Sequence, residues 1–113
     1  MRRRTAASAG VKAGQFCPVR RALDVIGDAW TVLILRDLFI EGPRRYQDFE
    51  DSIVGVSPNT LSDRLKRLEE HKIIERRFYS EHPPRAEYDL TDKGKTLGPI
   101  MQALRDWGRK HPS

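Results

Sequence analysis

The chain has 113 residues, 38% of them hydrophobic and 33% charged, which suits a single globular domain built around one core. This composition excludes collagen-like and fully disordered chains, and no stretch approaches the roughly 20 apolar residues that a membrane span requires. The basic residues Arg2, Arg3 and Arg4 are not followed by an apolar run, so they do not form a secretory signal.

The positive charge is concentrated near the N-terminus. Residues 1–23 contain six basic and no acidic residues, whereas the rest of the chain has 15 basic and 16 acidic residues. Residues 1–15 lack apolar periodicity and are predicted to form a flexible basic arm ahead of a folded domain at residues 16–113. A nucleic-acid function must therefore be argued from where the remaining charges lie. The single cysteine, Cys17, cannot form an internal disulfide, so we expect a cytoplasmic protein.

Two helices are predicted at the start of the folded part. The first is short and amphipathic and ends at Gly27, with apolar residues at i, i+3, i+4 and i+7. Asp28 is a suitable N-cap for the second helix, which begins near Ala29. The second helix is apolar nearly all round, so we expect it to be enclosed on several sides. The apolar positions of the first helix are Val19, Ala22, Leu23 and Ile26. The polar interruptions of the second are Thr31, Arg36 and Asp37.

A third, short helix is marked by apolar residues at i, i+3 and i+7, and it leads into a tight turn. In this turn, Gly55 is free to adopt a positive φ. Ser57 and Pro58 then open a fourth helix in the preferred order, with a hydroxyl at the N-cap and a proline at the first helical position. The third helix is marked by Tyr46, Phe49 and Ile53, and the inward stripe of the fourth is Leu61, Leu65 and Leu68.

The hydrophobic period changes after Lys72. Residues 73–79 and the run around Tyr88 and Leu90 are β-branched and aromatic, and residues 80–84 between them are rich in turn formers. This pattern predicts a two-stranded hairpin. Thr91 caps a last helix, in which Pro99 removes one backbone hydrogen bond and is expected to produce a bend.

The order of these elements is typical of a winged helix-turn-helix protein. Two helices joined by a short turn and followed by a β-hairpin define that motif. The predicted fold is therefore mostly α with a small β-hairpin wing.

The fourth helix turns a polar face away from its leucine stripe. Asn bonds adenine, Lys and Arg bond guanine or phosphate, and Asp accepts from cytosine, so this face suits a major groove. An ordinary solvated face is the competing interpretation, but the turn before the helix and the hairpin after it favour DNA readout. Asp63 would repel phosphate and can instead pair with Lys66 or Arg67. The candidate DNA-binding residues on this face are Asn59, Thr60, Ser62, Asp63, Lys66 and Arg67.

Arginines of the hairpin supply a second candidate contact with DNA. Arg76, Arg77 and Arg85 either lie along phosphates or a narrow minor groove, or protect a strand edge against aggregation. Neighbouring strand residues alternate faces, so both Arg76 and Arg77 are kept as candidates. Arg44 and Arg45, before the third helix, either contact the DNA backbone or are exposed loop residues.

The last helix carries an apolar stripe of more than two turns. Part of it must pack on the core, and a monomer of this size is not expected to cover the rest. We therefore expect a two-fold homodimer, which places two reading helices about 34 Å apart on a near-palindromic operator. The stripe consists of Leu97, Ile100, Met101, Leu104 and Trp107.

Cys17 has two open interpretations. It precedes Pro18 at a helix start, with Arg20 and Arg21 close in sequence, so the helix dipole and the positive charge favour a reactive thiolate. A lone thiol of this kind forms only a mixed disulfide or a bond to a second subunit. Alternatively, Cys17 is a small residue that fills an interface or caps the first helix.

No catalytic or cofactor-binding pattern is found in the sequence. His71, His82 and His111 are scattered, no Cys or acidic cluster has metal-ligand spacing, and there is no glycine-rich phosphate loop or nucleophile elbow. We expect neither an enzyme nor a cofactor. A winged-helix module that binds protein rather than DNA is the main alternative function.

Several segments together resemble the HxlR-type transcriptional regulators, which are bacterial winged helix-turn-helix proteins related to the MarR group. The resemblance implies a cytoplasmic homodimer that binds operator DNA and uses its first and last helices, including Val19 and Leu23, as its interface. It places residues 57–67, beginning at Ser57, as the recognition helix and the hairpin arginines as the wing. The matching segments are CPVRRALDVIGDAWTVLILRDL, GPRRYQDF, SPNTLSDRLKRLEE and IIERRFYSEHPPRAEYDLTDKG.

The resemblance also bears on regulation. Some members of the family sense quinones, aldehydes or oxidants through a cysteine in the position of Cys17, so a small molecule or an electrophile is the expected inducer. The family often has a glycine-lysine pair before the tryptophan of the second helix, where this chain has Asp28 and Ala29. Any phosphate contact of that lysine is absent here. We interpret the chain as a repressor rather than an activator, because blocking a promoter needs no additional contact surface.

Overall fold

The computed structural model describes residues 17–113, and the arm predicted at residues 1–15 lies outside the described residues. Within them, four helices and one antiparallel hairpin follow the predicted order, and two helices stand where a single last helix was predicted; the mostly α fold with a hairpin wing is confirmed. The helices are α1 (Pro18–Ile26), α2 (Ala29–Glu41), α3 (Tyr46–Ser52), α4 (Pro58–Glu70), α5 (Asp92–Lys95) and α6 (Gly98–Lys110), and the strands are β1 (Ile74–Glu81) and β2 (Pro84–Leu90).

The predicted helix starts are confirmed by their capping geometry. The Asp28 carboxylate accepts a hydrogen bond from the backbone N–H of Trp30 at 3.1 Å, which caps α2. The Ser57 hydroxyl accepts from the backbone N–H of Thr60 at 3.2 Å, and Pro58 follows at the first position of α4. Gly55, in the turn before α4, has φ 86°, a left-handed conformation that favours glycine.

The core lies where α2, α3, α4 and the base of the hairpin meet. Phe49 of α3 is completely buried, and its ring contacts Tyr88 of β2 edge-on at 6.1 Å between centroids. Because α2 contributes buried residues on adjacent positions, it is enclosed by several elements, as its apolar sequence predicted. The other buried apolar residues are Ile34, Leu35, Leu38, Ile53, Leu61, Leu65, Leu68, Ile73, Ile74 and Leu90.

Two of the polar residues that interrupt the α2 sequence, Thr31 and Asp37, are buried, at 4% and 3% exposure. Asp37 accepts hydrogen bonds from Arg36 and from the Ser52 hydroxyl of α3, both at 3.0 Å, and Arg44 lies 3.6 Å from its second oxygen. We call these four residues, Arg36, Asp37, Arg44 and Ser52, the Asp37 cluster. It connects α2 to α3. The hydrogen bonds from Arg36 and Ser52 both go to Oδ1 of Asp37, whereas Oδ2 is buried without a hydrogen bond and is offset only by the charge of Arg44.

Arg44 has a structural role and is not an exposed loop residue. Its backbone pairs with that of Tyr88 in both directions, at 2.9 and 2.7 Å, which forms an isolated antiparallel bridge beside the two-stranded hairpin. Its guanidinium turns inward to the Asp37 cluster, with only 21% of the side chain exposed. The suggested contact of Arg44 with the DNA backbone is therefore not supported by its orientation.

The hairpin is longer than its sequence pattern indicated. Ser80 and Glu81 extend β1, and β2 begins at Pro84, so the turn is two residues long instead of the predicted segment 80–84. Ile74 lies opposite Leu90 and Arg76 opposite Tyr88, which places the apolar base of the hairpin against the core. The strands shift register between Phe78 and Ser80, as at a β-bulge, and continue to pair as far as the tip.

The prediction of one last helix bent at Pro99 is wrong. The single turn α5, capped by the Thr91 hydroxyl, ends at Lys95, and α6 begins afresh at Gly98. Pro99 therefore lies in the first turn of α6, where its missing N–H has no helical partner to lose. A Cβ on Gly94 would lie 2.1 Å from the carbonyl oxygen of Ile73, so this close approach requires glycine.

The apolar stripe of α6 divides into two sets. Leu97 and Met101 pack against the core, whereas Ile100, Leu104 and Trp107 remain 40%, 51% and 66% exposed. Across residues 17–113, no helix combines the length and the apolar character that crossing a membrane would take.

Candidate nucleic-acid interface

The fourth helix, α4, presents the polar face that its sequence predicted. Leu61, Leu65 and Leu68 are at most 1% exposed and hold the helix on the core. The opposite face is exposed at Asn59, Ser62, Asp63, Lys66 and Arg67, with Thr60 partly buried at the margin. The predicted division between an inward stripe and an outward polar face is confirmed.

Three hydroxyl groups at the start of α4, those of the N-cap Ser57 and of Thr60 and Ser62, have bonding partners within the protein. The Ser57 hydroxyl donates to Thr60 Oγ1 at 2.9 Å, in addition to capping the helix. The Ser62 and Tyr46 hydroxyls lie 3.1 Å apart, and Tyr46 also donates to the backbone carbonyl of Pro58 at 3.1 Å. Tyr46 thus ties the start of α3 to the first turns of α4, a contact between separate helices that sequence periodicity does not reveal.

Asp63, in the middle of the polar face, is flanked by two arginines. Arg64 donates to it, and Arg67, one turn later, lies 3.6 Å away, so the predicted pairing with Arg67 is confirmed. This local neutralisation reduces the repulsion that a bare carboxylate would exert on a phosphate.

Arg64 is a residue of the candidate site that the sequence analysis missed. Besides Asp63, it donates to the carboxylate of Asp28, the N-cap of α2, at 3.1 Å. Burial raises the pKa of Asp28, but hydrogen bonds from Thr31 and Arg64, together with the positive charge of Arg64, lower the pKa below its usual value overall. The Asp28 bond raises the pKa of Arg64 in return. This pair fixes α4 to the start of α2.

The three hairpin arginines have different surroundings. Arg76 lies on the side of α4, 3.8 Å from Glu69, and lines a cleft of about 380 Å³ that also contains Lys66. Arg77 donates to Asp89 at 2.7 Å and lies 3.9 Å from Glu87, so two carboxylates neutralise it. Arg85 is exposed and makes no ion pair within residues 17–113.

Cys17 lies at the N-cap of α1 and is partly buried. It occupies the cap position through its backbone, whose carbonyl accepts from the N–H of Arg21 at 3.0 Å, whereas its side chain makes no capping hydrogen bond. Arg20 is bonded to Asp24 at 3.2 Å, one turn along α1. The same helix exposes Val19 and Leu23, at 68% and 53%.

Comparison with known proteins agrees with this geometry. Residues 25–113 match the family model described as HxlR-like helix-turn-helix. The chain belongs to the HxlR family. An HTH-type transcriptional regulator of Synechocystis, sll1512, is 41% identical over 95 residues, which cover 84% of this chain and 70% of the relative.

Solved structures extend the comparison to the fold. The redox regulator HypR in its oxidised form superimposes with a TM-score of 0.79 at 35% identity, covering 84% of this chain and 97% of HypR. The reduced form of YodB from Bacillus subtilis gives a TM-score of 0.72 at 32% identity, covering 88% and 99%. The protein is thus a transcriptional regulator of the HxlR type and not an enzyme.

The bond between Asp28 and Arg64 gives a prediction for the stability of this HxlR-family protein. The pKa of Asp28 is lowered in the folded state, so the ionised carboxylate stabilises the fold above the unfolded value of 3.8, and this contribution is lost as the pH falls through the folded value. Asp28→Asn retains an N-cap but loses the charge, and should lower the free energy of unfolding by about 1 kcal/mol at neutral pH.

Urea unfolding across the acid range tests this expectation. The difference between wild type and Asp28→Asn should disappear in acid, whereas Asp24→Asn, which breaks only an exposed pair, should change stability by less than about 0.5 kcal/mol throughout. If the free energies of unfolding of wild type and Asp28→Asn still differ by the same amount below the folded and unfolded pKa values of Asp28, the charge of Asp28 contributes nothing to stability.

Proposed function

We propose that the protein is a homodimeric repressor that reads operator DNA with α4 and holds the flanking phosphates with the hairpin. The observation that carries the proposal is the exposed polar face of α4, with the hairpin residue Arg76 beside it and a leucine stripe holding it on the core. Asn59, Lys66 and Arg67 have the chemistry to bond base edges or phosphates. The other candidates on α4, Ser57, Thr60, Ser62 and Asp63, already have partners within the protein and are assigned supporting contacts.

The support for this interface comes from where the charges lie and not from the net charge of the chain. Residues 24–113 are nearly balanced, so attraction to phosphate has to come from cations grouped on one face. Lys66 and Arg85 make no ion pair within the described part of the chain, and Arg76 lies beside Lys66 in the cleft between α4 and the hairpin. We therefore assign Arg76 and Arg85 to phosphate or minor-groove contacts, with Arg77 in a lesser role because Asp89 holds it.

Exposed apolar side chains on α1 and α6 support the dimer. Val19 and Leu23 on α1, and Leu104 and Trp107 on α6, are each at least half exposed, which is unusual for large apolar groups on a small domain. The proposed interface is completed by Ile100 and by the partly buried Leu97 and Met101. A two-fold pair sets the two copies of α4 about 34 Å apart, which matches consecutive major grooves on a near-palindromic operator.

Equilibrium binding to duplex DNA tests this function. A duplex selected from a random pool by the wild-type protein should bind far more tightly than a shuffled duplex, with affinity falling steeply as salt rises. Sedimentation should give a dimer both free and on DNA. Equal weak binding to every duplex, or no retention on heparin, would favour a protein-binding module instead. We also propose that the protein acts in the cytoplasm, because the operator that it would bind is part of the chromosomal DNA.

We further propose that Cys17 makes operator binding sensitive to oxidants and electrophiles. The support is its position at the N-cap of α1, next to the proposed dimer interface, together with the similarity to HypR, described as a redox regulator, and to YodB, solved in a diamide-treated form. Two thiols would pass two electrons and two protons to diamide and form a disulfide. Because Cys17 is the only cysteine, the second thiol belongs to another copy or to a small thiol.

Cys17→Ser provides the test of this sensing. Diamide or a quinone should weaken binding of the wild-type protein to the selected duplex, and dithiothreitol should restore it after diamide. The same treatment should leave Cys17→Ser unaffected. Identical responses of the two proteins would refute sensing through Cys17 and leave the DNA-binding proposal intact.

A further inference from the structure

Phe78 is a large apolar side chain that the hairpin leaves 61% exposed. Its partner across the hairpin is Ala86, whose methyl group is too small to cover an aromatic ring. A single exposed apolar residue is common on protein surfaces, so its surroundings decide what it contacts. The surroundings of Phe78 belong to the proposed DNA-reading surface.

The ring of Phe78 adjoins the side of the hairpin that faces α4. Phe78 and Arg76 are two residues apart on β1, so both side chains project from the same face of the hairpin. The Arg76 guanidinium lies 5.7 Å from the ring centroid. Arg76 also lines the cleft beside α4, together with Ser62 and Lys66 of the polar face and with one acidic residue, Glu69. The exposed face of α4 therefore continues through Arg76 to the ring of Phe78.

The other face of the hairpin is unsuited to a phosphate backbone. Arg77, between Arg76 and Phe78 in the strand, projects from that face because successive residues alternate. Asp89 lies 2.7 Å and Glu87 3.9 Å from its guanidinium, so two carboxylates surround one cation. Of the two faces, the one that carries Phe78 is therefore the better suited to DNA.

We propose that Phe78 of each subunit is a wedge that enters the minor groove beside a half-site and partly unstacks one base step. Proteins that bind the minor groove frequently insert apolar residues such as phenylalanine between base pairs. The Arg76 guanidinium beside the ring binds in the same groove, where the negative potential attracts arginine. This inference rests on the proposed reading of the major groove by α4, and it adds a contact that recognises how easily the DNA deforms.

The wedge predicts a sequence preference outside the bases that α4 reaches. Pyrimidine–purine steps, TA and CA/TG, unstack at the lowest cost, so the wedge favours them over a stiff A-tract. The minor groove that adjoins a recognition helix lies half a helical turn, about 5 base pairs, from the centre of the half-site. Duplexes selected by the wild-type protein should therefore carry such a step at that distance on the outer side of each half-site.

Equilibrium binding of the full-length, reduced protein to the selected duplex tests the wedge. Phe78→Ala should bind about tenfold more weakly or worse because it removes the apolar contact, whereas Phe78→Leu keeps a wedge and most of the affinity. Neither variant removes a charge, so the salt slope should stay at the wild-type value. Replacing the flanking step with an A-tract should weaken binding of the wild-type protein and leave that of Phe78→Ala unchanged.

Fluorescence of 2-aminopurine placed in the flanking step reports unstacking directly, because this base brightens when it leaves the helical stack. At saturating protein the signal should rise with wild type and with Phe78→Leu, and it should stay low with Phe78→Ala. Tyr79→Ala is the matched control. It removes the neighbouring aromatic ring, which has a partner within the protein, since a hydrogen bond with Tyr79 raises the pKa of Arg45. Its signal should match that of wild type.

The outcomes separate this inference from the proposed function. If the wild-type protein prefers the selected duplex and Phe78→Ala binds it equally well, the wedge is refuted, reading by α4 stands, and the exposed ring is assigned to another partner. Binding that depends on Phe78 without a rise in fluorescence also refutes the wedge, in favour of a surface contact. If the wild-type protein prefers no duplex, the proposed function itself fails, and the wedge fails with it.

Discussion

Phe49→Ala is expected to lower the free energy of unfolding by about 3–5 kcal/mol, the cost of truncating a fully buried aromatic residue. Phe49 is 0% exposed and contacts Tyr88, so its ring joins α3 to the hairpin as well as filling the core. A loss of this size is a large part of the 5–15 kcal/mol that stabilises a typical domain. Urea unfolding followed by circular dichroism measures the difference.

Phe78 provides the matched control for this core variant. It is also a phenylalanine, but it is 61% exposed on β1 and has the Arg76 guanidinium 5.7 Å from its ring centroid. Phe78→Ala should therefore cost less than about 1 kcal/mol. Comparable losses for the two variants would contradict the placement of the core between α3 and the hairpin.

Lys66→Ala and Arg67→Ala are each expected to weaken binding to the selected duplex by about 1–3 kcal/mol where the side chain bonds a base edge. Both residues are exposed on α4, and Arg67→Ala also leaves Asp63 with one cation fewer to offset its repulsion of phosphate. If a side chain holds phosphate instead, all duplexes should lose affinity alike and the salt slope should fall by about one unit.

The control for the α4 variants is Lys110→Ala at the end of α6. It removes the same unit charge from an exposed helical position far along the chain from α4. Its affinity for the duplex should stay close to that of wild type. If Lys110→Ala weakens binding as much as Lys66→Ala does, the effect reflects total charge and not a contact of α4.

The helix starts were predictable because their signals are local. Asp28 and Ser57 bond backbone groups two or three residues away, and the three leucines of α4 recur at a spacing that leaves one orientation on the core. The same spacing predicts which face of α4 is exposed. The apolar stripe of the last helix led to the expectation of a dimer, and the family resemblance added the first helix to the expected interface.

The errors and omissions concern features that the local apolar spacing does not show. Pro99 was placed inside one helix because the apolar spacing does not show that the helix is interrupted between Lys95 and Gly98, which puts the proline in the first turn of α6. Asp37 was treated as a polar interruption of the helix. Its burial depends on a hydrogen bond from Ser52 and an ion pair with Arg44, two residues that lie elsewhere in the sequence.

At the candidate site, sequence reasoning found the face but not the internal bonding. The pairing of Arg64 with Asp28 spans 36 residues, and the pairing of Tyr46 with Ser62 spans 16, so no short-range pattern signals either. One feature of the sequence does point to an internal partner for Arg64. An arginine next to a leucine stripe lies at the boundary between buried and exposed positions, from which its guanidinium can reach another element. The alternation of strand residues did not decide which of Arg76 and Arg77 faces α4. The structure distinguishes them by their partners, since Arg76 lies beside Glu69 of α4 and Arg77 pairs with Asp89 of the hairpin.

The most direct test of the central claim is DNA cleavage by an iron–EDTA reagent attached at position 59, using Asn59→Cys in the Cys17→Ser protein. With α4 of each subunit in the major groove, the reagent should cut the selected duplex in two patches about 10 base pairs apart. The same reagent attached through Lys110→Cys should leave those patches uncut. An uncut duplex under a protein that remains bound, or the same cuts from both positions, would contradict the account.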